Sequence, residues 1–209
     1  KNIQIMPEVT EKLTAAWHAN GEDIWIIVHG WNNNKFFSFL LTEDGLSEKP
    51  VESSAGMVHT GGQLTFMLNE NKVGYMRVSP DSKKLACAIR YANTVQIFDF
   101  DNETGKVSNP IELTDKKYEH PYGLEFSPDS RFLYLCKLTD SERLYQIDLQ
   151  YDNAQNIINN SVLIDKGTYN EEFLGGIQAG PDGKIYIAPF KSKYLAVISD
   201  PCKKGLDCG

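Results

Sequence analysis

Four histidines, His18, His29, His59 and His120, are the side chains of this 209-residue chain best suited to move a proton near neutral pH. A catalytic histidine needs an oriented partner, and a metal site needs several converging ligands. His18 and His29 stand on neighbouring strands and could meet, with packing or turn hydrogen bonds as their plainer role. His59 lies beside Gly61-Gly62, where a backbone of small residues could approach an opening. His120 precedes Pro121 in a loop. Trp31, in the turn Gly30-Trp31-Asn32-Asn33-Asn34, could stack on a sugar or anchor a partner, the alternative being packing within the fold. Trp31, His29, His59 and His120 are therefore the candidate ligand-binding residues.

Other patterns resolve into turn chemistry. Asp99-Phe100-Asp101-Asn102-Glu103-Thr104-Gly105 places acidic oxygens at alternate positions, as calcium requires. An EF-hand loop needs a bidentate Glu at its twelfth position, and Pro110 stands there, so the segment reads as a polar hairpin. No Gly-x-Ser-x-Gly elbow, His-Glu-x-x-His pair or Walker loop occurs. No catalytic residue, metal or cofactor follows from the residues. Cys87 and Cys136 sit in apolar runs and read as buried thiols. Cys202 and Cys208 flank a polar loop, where a disulfide or free thiols are both open.

The formal net charge is -7 without a Lys/Arg run, which argues against nucleic acid or anionic membrane as a partner. No apolar run approaches the ~18 residues of a membrane span.

The elements that must hold these residues repeat. Val78-Ser79-Pro80-Asp81-Ser82, Phe126-Ser127-Pro128-Asp129-Ser130 and Ala179-Gly180-Pro181-Asp182-Gly183 are versions of one phrase, their prolines 48 and 53 residues apart. Each joins two apolar strands. A strand–turn–strand unit at that period predicts an all-β fold, a β-propeller of four-stranded antiparallel blades. The expected blades are residues 8–56, 57–115, 116–168 and 169–209, the last lacking its outer strand, with an outer strand in residues 1–7. That first strand could close a four-bladed ring, or the four blades could be an arc of a larger propeller.

The phrases Val9-Thr10-Glu11-Lys12-Leu13-Thr14-Ala15, Val28-His29-Gly30-Trp31-Asn32 and Phe98-Asp99-Phe100-Asp101-Asn102 resemble a propeller module of large Bacteroidetes cell-surface proteins. Those proteins often carry a type IX secretion, gliding-motility-associated sorting domain. The resemblance implies a larger ring, hence an arc here, and a secreted or cell-surface location. It brings no catalytic residue. A weaker similarity, through His120-Pro121-Tyr122-Gly123 and Phe126-Ser127-Pro128-Asp129, is to lactonase-type seven-bladed propellers. The leading expectation is a non-enzymatic scaffold or binding module for a protein or glycan, without membrane insertion and with self-association through open blade edges. The alternative is a lactonase-like or other hydrolase using the central funnel, and a third reading is a pure spacer. An enzyme should bring acidic residues, histidines or a metal together at the ring axis.

Overall fold

A computed structural model describes residues 4–61, 70–139, 141, 143–167 and 173–209. Its strands form four successive antiparallel sheets. The first contains β1 (Val9–Trp17), β2 (Ile24–Gly30), β3 (Asn33–Thr42), β4 (Gly45–Leu46) and β5 (Val51–His59), with β4 and β5 both pairing with β3. The second runs β6 (Met76–Val78), β7 (Lys84–Ile89), β8 (Thr94–Asp101), β9 (Lys106–Thr114). The third runs β10 (Pro121–Phe126), β11 (Phe132–Lys137), β12 (Leu144–Asp148), β13 (Val162–Asp165), with the helix α1 (Ala154–Asn160) before its last strand. The fourth has β14 (Leu174–Ala179), β15 (Ile185–Pro189) and β16 (Ala196–Ile198). This is the blade order of a β-propeller, with β1, β6, β10 and β14 innermost.

The repeated turns explain why the sheets look alike. In the second blade the Ser79 hydroxyl donates to Asp81 at 2.6 Å and accepts the Lys84 N–H at 2.9 Å. In the third, Ser127 treats Asp129 and the Phe132 N–H in the same way. Ser82, Ser130 and Gly183 occupy one position in the three turns, and all have left-handed φ, 56°, 63° and 78°. Proline ahead of them presets the turn, and Asp bonds the backbone beyond it.

Packing proceeds blade to blade. Trp25, Ile27 and Phe36 meet Met76, Leu85 and Phe98 between the first two blades. Ala86, Ile97 and Leu113 meet Leu124, Phe126 and Leu135 between the second and third, where α1 adds Ile157 and Ile158. Tyr134, Cys136 and Leu144 meet Ile177, Ile185 and Ile198 between the third and fourth. Among the described residues, no core of this kind joins the fourth blade to the first.

Two expectations change, and two features are added. Residues 4–7 form no strand, and Lys1–Ile3 lie outside the described residues. Pro7 offers no N–H, Glu8 turns the chain with φ 52°, and Met6 packs on the outer face of the first blade beside Val28, Phe37 and Phe39. The first blade's outer strand continues past Gly56 to His59. The helix in the third blade was not read from the sequence; Asn153 caps it by accepting the Asn156 N–H. Cys202 and Cys208, which the sequence left open between a disulfide and free thiols, are unpaired, the first exposed and the second buried.

Candidate functional site

Side chains converge on the inner strands of the first three blades. A cleft of about 320 Å³ is lined by Glu11 and Leu13 of β1, Met76 and Arg77 of β6, Gly74 and Tyr75 just before β6, and Tyr122 of β10. β1 alternates, burying Thr10, Lys12, Thr14 and Ala16 and turning Glu11, Leu13, Ala15 and Trp17 outward. Glu11 is fixed through one oxygen, which accepts the Gly74 N–H at 2.7 Å. Gly74 has φ 120°, and a Cβ there would overlap the Ala88 carbonyl oxygen, so this approach requires glycine.

Arg77 is held from two sides. Its guanidinium lies 4.7 Å over the Tyr75 ring, and its Nε is 3.4 Å from Glu125 Oε2. Glu125 belongs to β10 and ties three blades together. Besides Arg77 of the second blade, it accepts the N–H of Phe126 and, from the fourth blade, that of Ala179. Burial raises the Glu125 carboxyl above the usual carboxylate range, with Arg77 opposing. Tyr75 and Tyr122 stand with ring centres 5.3 Å apart, and the Tyr75 N–H donates to the Tyr122 carbonyl at 2.9 Å. A Cβ on Gly176 would come within 2.9 Å of the Tyr75 hydroxyl, so a glycine of the fourth blade leaves room for this ring. Burial, with Glu11 and Tyr75 nearby, raises the Tyr122 phenol.

The sequence candidates lie elsewhere. His29, at the end of β2, meets His59 rather than His18; their rings stack 3.6 Å apart, and both are fully buried. His29 Nδ1 donates to the Gly30 carbonyl, while His29 Nε2 and both His59 ring nitrogens have no partner. Burial holds the His29 imidazole down to about 4 and lowers His59 further. Beside them Lys12 is buried and donates to the carbonyls of Asn71, Lys72 and Val73, and burial lowers its ammonium to about 8. His18 packs on Trp25. Trp31 is buried, with the Lys72 ammonium 4.6 Å from its ring centre, so the indole is not an exposed anchor. His120 is half-buried with φ 51°, immediately before proline. Its ring lies edge-on to Tyr91, which in turn carries the Arg90 guanidinium. Among the described residues, no group of three His, Cys, Asp or Glu is placed to hold a metal ion, and no helix is long and apolar enough to cross a membrane.

Sequence reasoning missed Glu11, Tyr75, Arg77, Tyr122 and Glu125. A usable signal existed. Arg77, Glu125 and Gln178 stand at the same offset before their Pro-Asp turns, polar residues at one register of three inner strands.

The chain resembles solved propellers over most of its length. A candidate 6-phosphogluconolactonase from Bacteroides uniformis aligns with TM-score 0.56 and 14% identity over 90% of this chain and 54% of its own. Virginiamycin B lyase from Staphylococcus aureus aligns with TM-score 0.55 and 14% identity over 88% of this chain and 51% of its own. The Cps50 (Swd1) β-propeller domain of Myceliophteria thermophila aligns with TM-score 0.56 and 8% identity over 90% of this chain and 53% of its own. At these identities the likeness is one of fold, and the chain spans about half the length of the structures it matches. No curated protein matches it. Nothing in these comparisons is specific to the type IX surface proteins. A family model does match residues 52–162, just over half of the chain, from the outer strand of the first blade through α1 of the third. With four blades packed in series behind that match, the chain belongs to the family described as lactonase, 7-bladed beta-propeller.

Proposed function

We propose that this chain supplies the substrate-binding wall of a hydrolase that opens a small lactone or ester at the propeller axis. The observation that carries this is the convergence of Glu11, Tyr75, Arg77 and Tyr122 on one cleft, with Glu125 fixing Arg77 from behind. A lactone needs a base for water and a donor for the carbonyl oxygen. One Glu11 oxygen is occupied by the Gly74 N–H, and the other is left to take a proton from water as that water attacks the carbonyl carbon. Arg77 donates to the oxyanion of the tetrahedral intermediate. The ring C–O bond then breaks, and its oxygen takes the proton back from Glu11. Tyr75 and Tyr122 flank the substrate, and Glu125 is a positioning residue.

A pH-stat assay over five- and six-membered lactones and aryl esters tests this. Loss of the base in Glu11→Gln should lower kcat by about 100-fold or more. Arg77→Lys, which loses the planar fork, should lower kcat/KM by a similar factor. Turnover by the wild type that Glu11→Gln leaves intact would overturn the assignment, as would absence of turnover across the panel. The binding-module reading keeps one specific support, the exposed apolar side chains Tyr194, Leu195 and Phe190 on the fourth blade. A glycan or protein retained without turnover would favour it, and export to the cell surface belongs with it.

A further inference from the structure

One peptide group links the buried and the open side of β1. Lys12 and Glu11 are neighbours on that strand and point to opposite faces. Lys12 is 1% exposed, and its ammonium donates to the carbonyls of Asn71, Lys72 and Val73 at 3.3, 3.1 and 3.2 Å. Glu11, on the cleft side, accepts the Gly74 N–H at 2.7 Å. The Val73 carbonyl and the Gly74 N–H belong to the same planar peptide unit, and in a trans unit they point opposite ways. Two successive residues of the first blade thus hold one peptide of the second by its two ends.

An ammonium carries three N–H donors and no acceptor, which matches three carbonyls. The groups facing Lys12 are the imidazoles of His29 from β2 and His59 from β5, the Cys87 thiol from β7, and Glu11 beside it on β1. The Lys72 ammonium lies over the Trp31 ring. Burial holds both imidazoles neutral and pushes the thiol up to about 12, whereas it lowers the Lys12 ammonium to about 8. Of these buried groups, Lys12 is the one that changes charge in mildly alkaline solution.

We infer that Lys12 is a positioning residue for the cleft: by holding the Val73–Gly74 peptide through its oxygen, it fixes the N–H that occupies one Glu11 oxygen, and with it the oxygen left to act as base. Its consequence for turnover rests on the hydrolase reading; the coupling of Lys12 to Glu11 does not. The positive charge also polarises the peptide, which makes its N–H the stronger donor. Tyr75, the next residue, is carried into the cleft by the same peptide. A neutral Lys12 amine has two hydrogens for three carbonyls, so the hold on the peptide loosens.

Carbon-detected NMR tests the coupling. Val73-Gly74 is the one Val-Gly step in the chain, so valine labelled at its carbonyl carbon and glycine labelled at nitrogen give a single coupled signal. In the wild type both nuclei should shift as the pH rises, with one midpoint near 8. In Lys12→Met, which keeps the length and removes the charge, that transition should be absent. In Glu11→Gln the carbonyl carbon should still follow Lys12. On the hydrolase reading, Lys12→Met should lower kcat about tenfold or more with KM nearly unchanged. Wild-type kcat should fall with the same midpoint near 8. Unfolding would not explain that fall: lysine in the unfolded chain titrates near 10.4, so above about 8 the unfolded state binds more protons and the Lys12 contribution to stability rises. A wild-type Val73–Gly74 signal that stays constant through this range would overturn the inference, even if Lys12→Met fails to fold. So would an active Lys12→Met with wild-type kcat. A chain that opens no lactone or ester yet shows the midpoint near 8 would remove the hydrolase reading and support the hold of Lys12 on the partner of Glu11.

Discussion

His29 and His59 hold three ring nitrogens without partners in a fully buried stack, beside the Lys12 ammonium. A proton on either ring would be buried next to a second imidazole and a cation. Both rings therefore stay neutral in the fold, while in the unfolded chain they titrate near 6.5. Between about 4 and 6.5 the unfolded state binds more protons, so stability is complete above 6.5 and falls as the pH drops through that window. For His29 alone, lowered by burial to about 4, the loss at the acid end is on the order of 3 kcal/mol. Urea titrations between pH 7 and 5 should show the wild-type midpoint falling. His29→Phe with His59→Phe, which keeps two stacked rings and removes both titrations, should flatten that limb. A wild-type midpoint constant over this range would mean that the rings accept protons in the folded state.

At the scale of elements, the repeated turn is where local chemistry and fold agree. Ser127 is fully buried and serves both Asp129 and the Phe132 N–H. Ser127→Ala leaves that N–H and carboxylate without their shared partner, and should cost about 1–3 kcal/mol in urea denaturation. Ser79→Ala should cost a similar amount, since Ser79 also accepts from Lys83 and Lys84. An effect below a few tenths of a kcal/mol at both positions would show that the hydroxyls are not what holds the turns. These turns, and with them the strand order of the blades, were legible because Pro, Asp and Ser act on the backbone within five residues. The helix α1 was not, because its stability comes from burying Ile157 and Ile158 against a neighbouring blade. The extension of β5 to His59 escaped for the same reason: it ends on a ring contact with His29, which lies 30 residues earlier in the chain. His29, His59 and Trp31 drew attention by residue type and proved to be packed inside the first blade. The residues that do converge, Glu11, Tyr75, Arg77 and Glu125, are ordinary surface types until inner-strand register brings them together.

Among the described residues the four blades pack in series, so their stability should be unevenly shared. Among the described residues, an internal blade is packed on both faces, whereas the fourth shows three strands and one packed face. The segment after β16 compensates by folding back over the third blade. Tyr134 donates to the Pro201 carbonyl at 2.9 Å, and Gln146 donates to the Lys203 carbonyl and accepts the Gly205 N–H, both at 2.7 Å. Lys204 adds a contact to Asp148 at 3.2 Å, and Cys208 is buried in the core shared with Ile198. Removing residues 201–209 deletes all of these at once and uncovers Tyr134. The loss should then be local, since β14–β16 depend on that core while the first three blades keep theirs. Hydrogen exchange on the shortened chain should show protection falling by at least tenfold in β14–β16, with β7, β8 and β11 close to wild type. A uniform fall across all four blades would mean instead that the arc opens as one cooperative unit, with the tail stabilising the whole rather than its last blade.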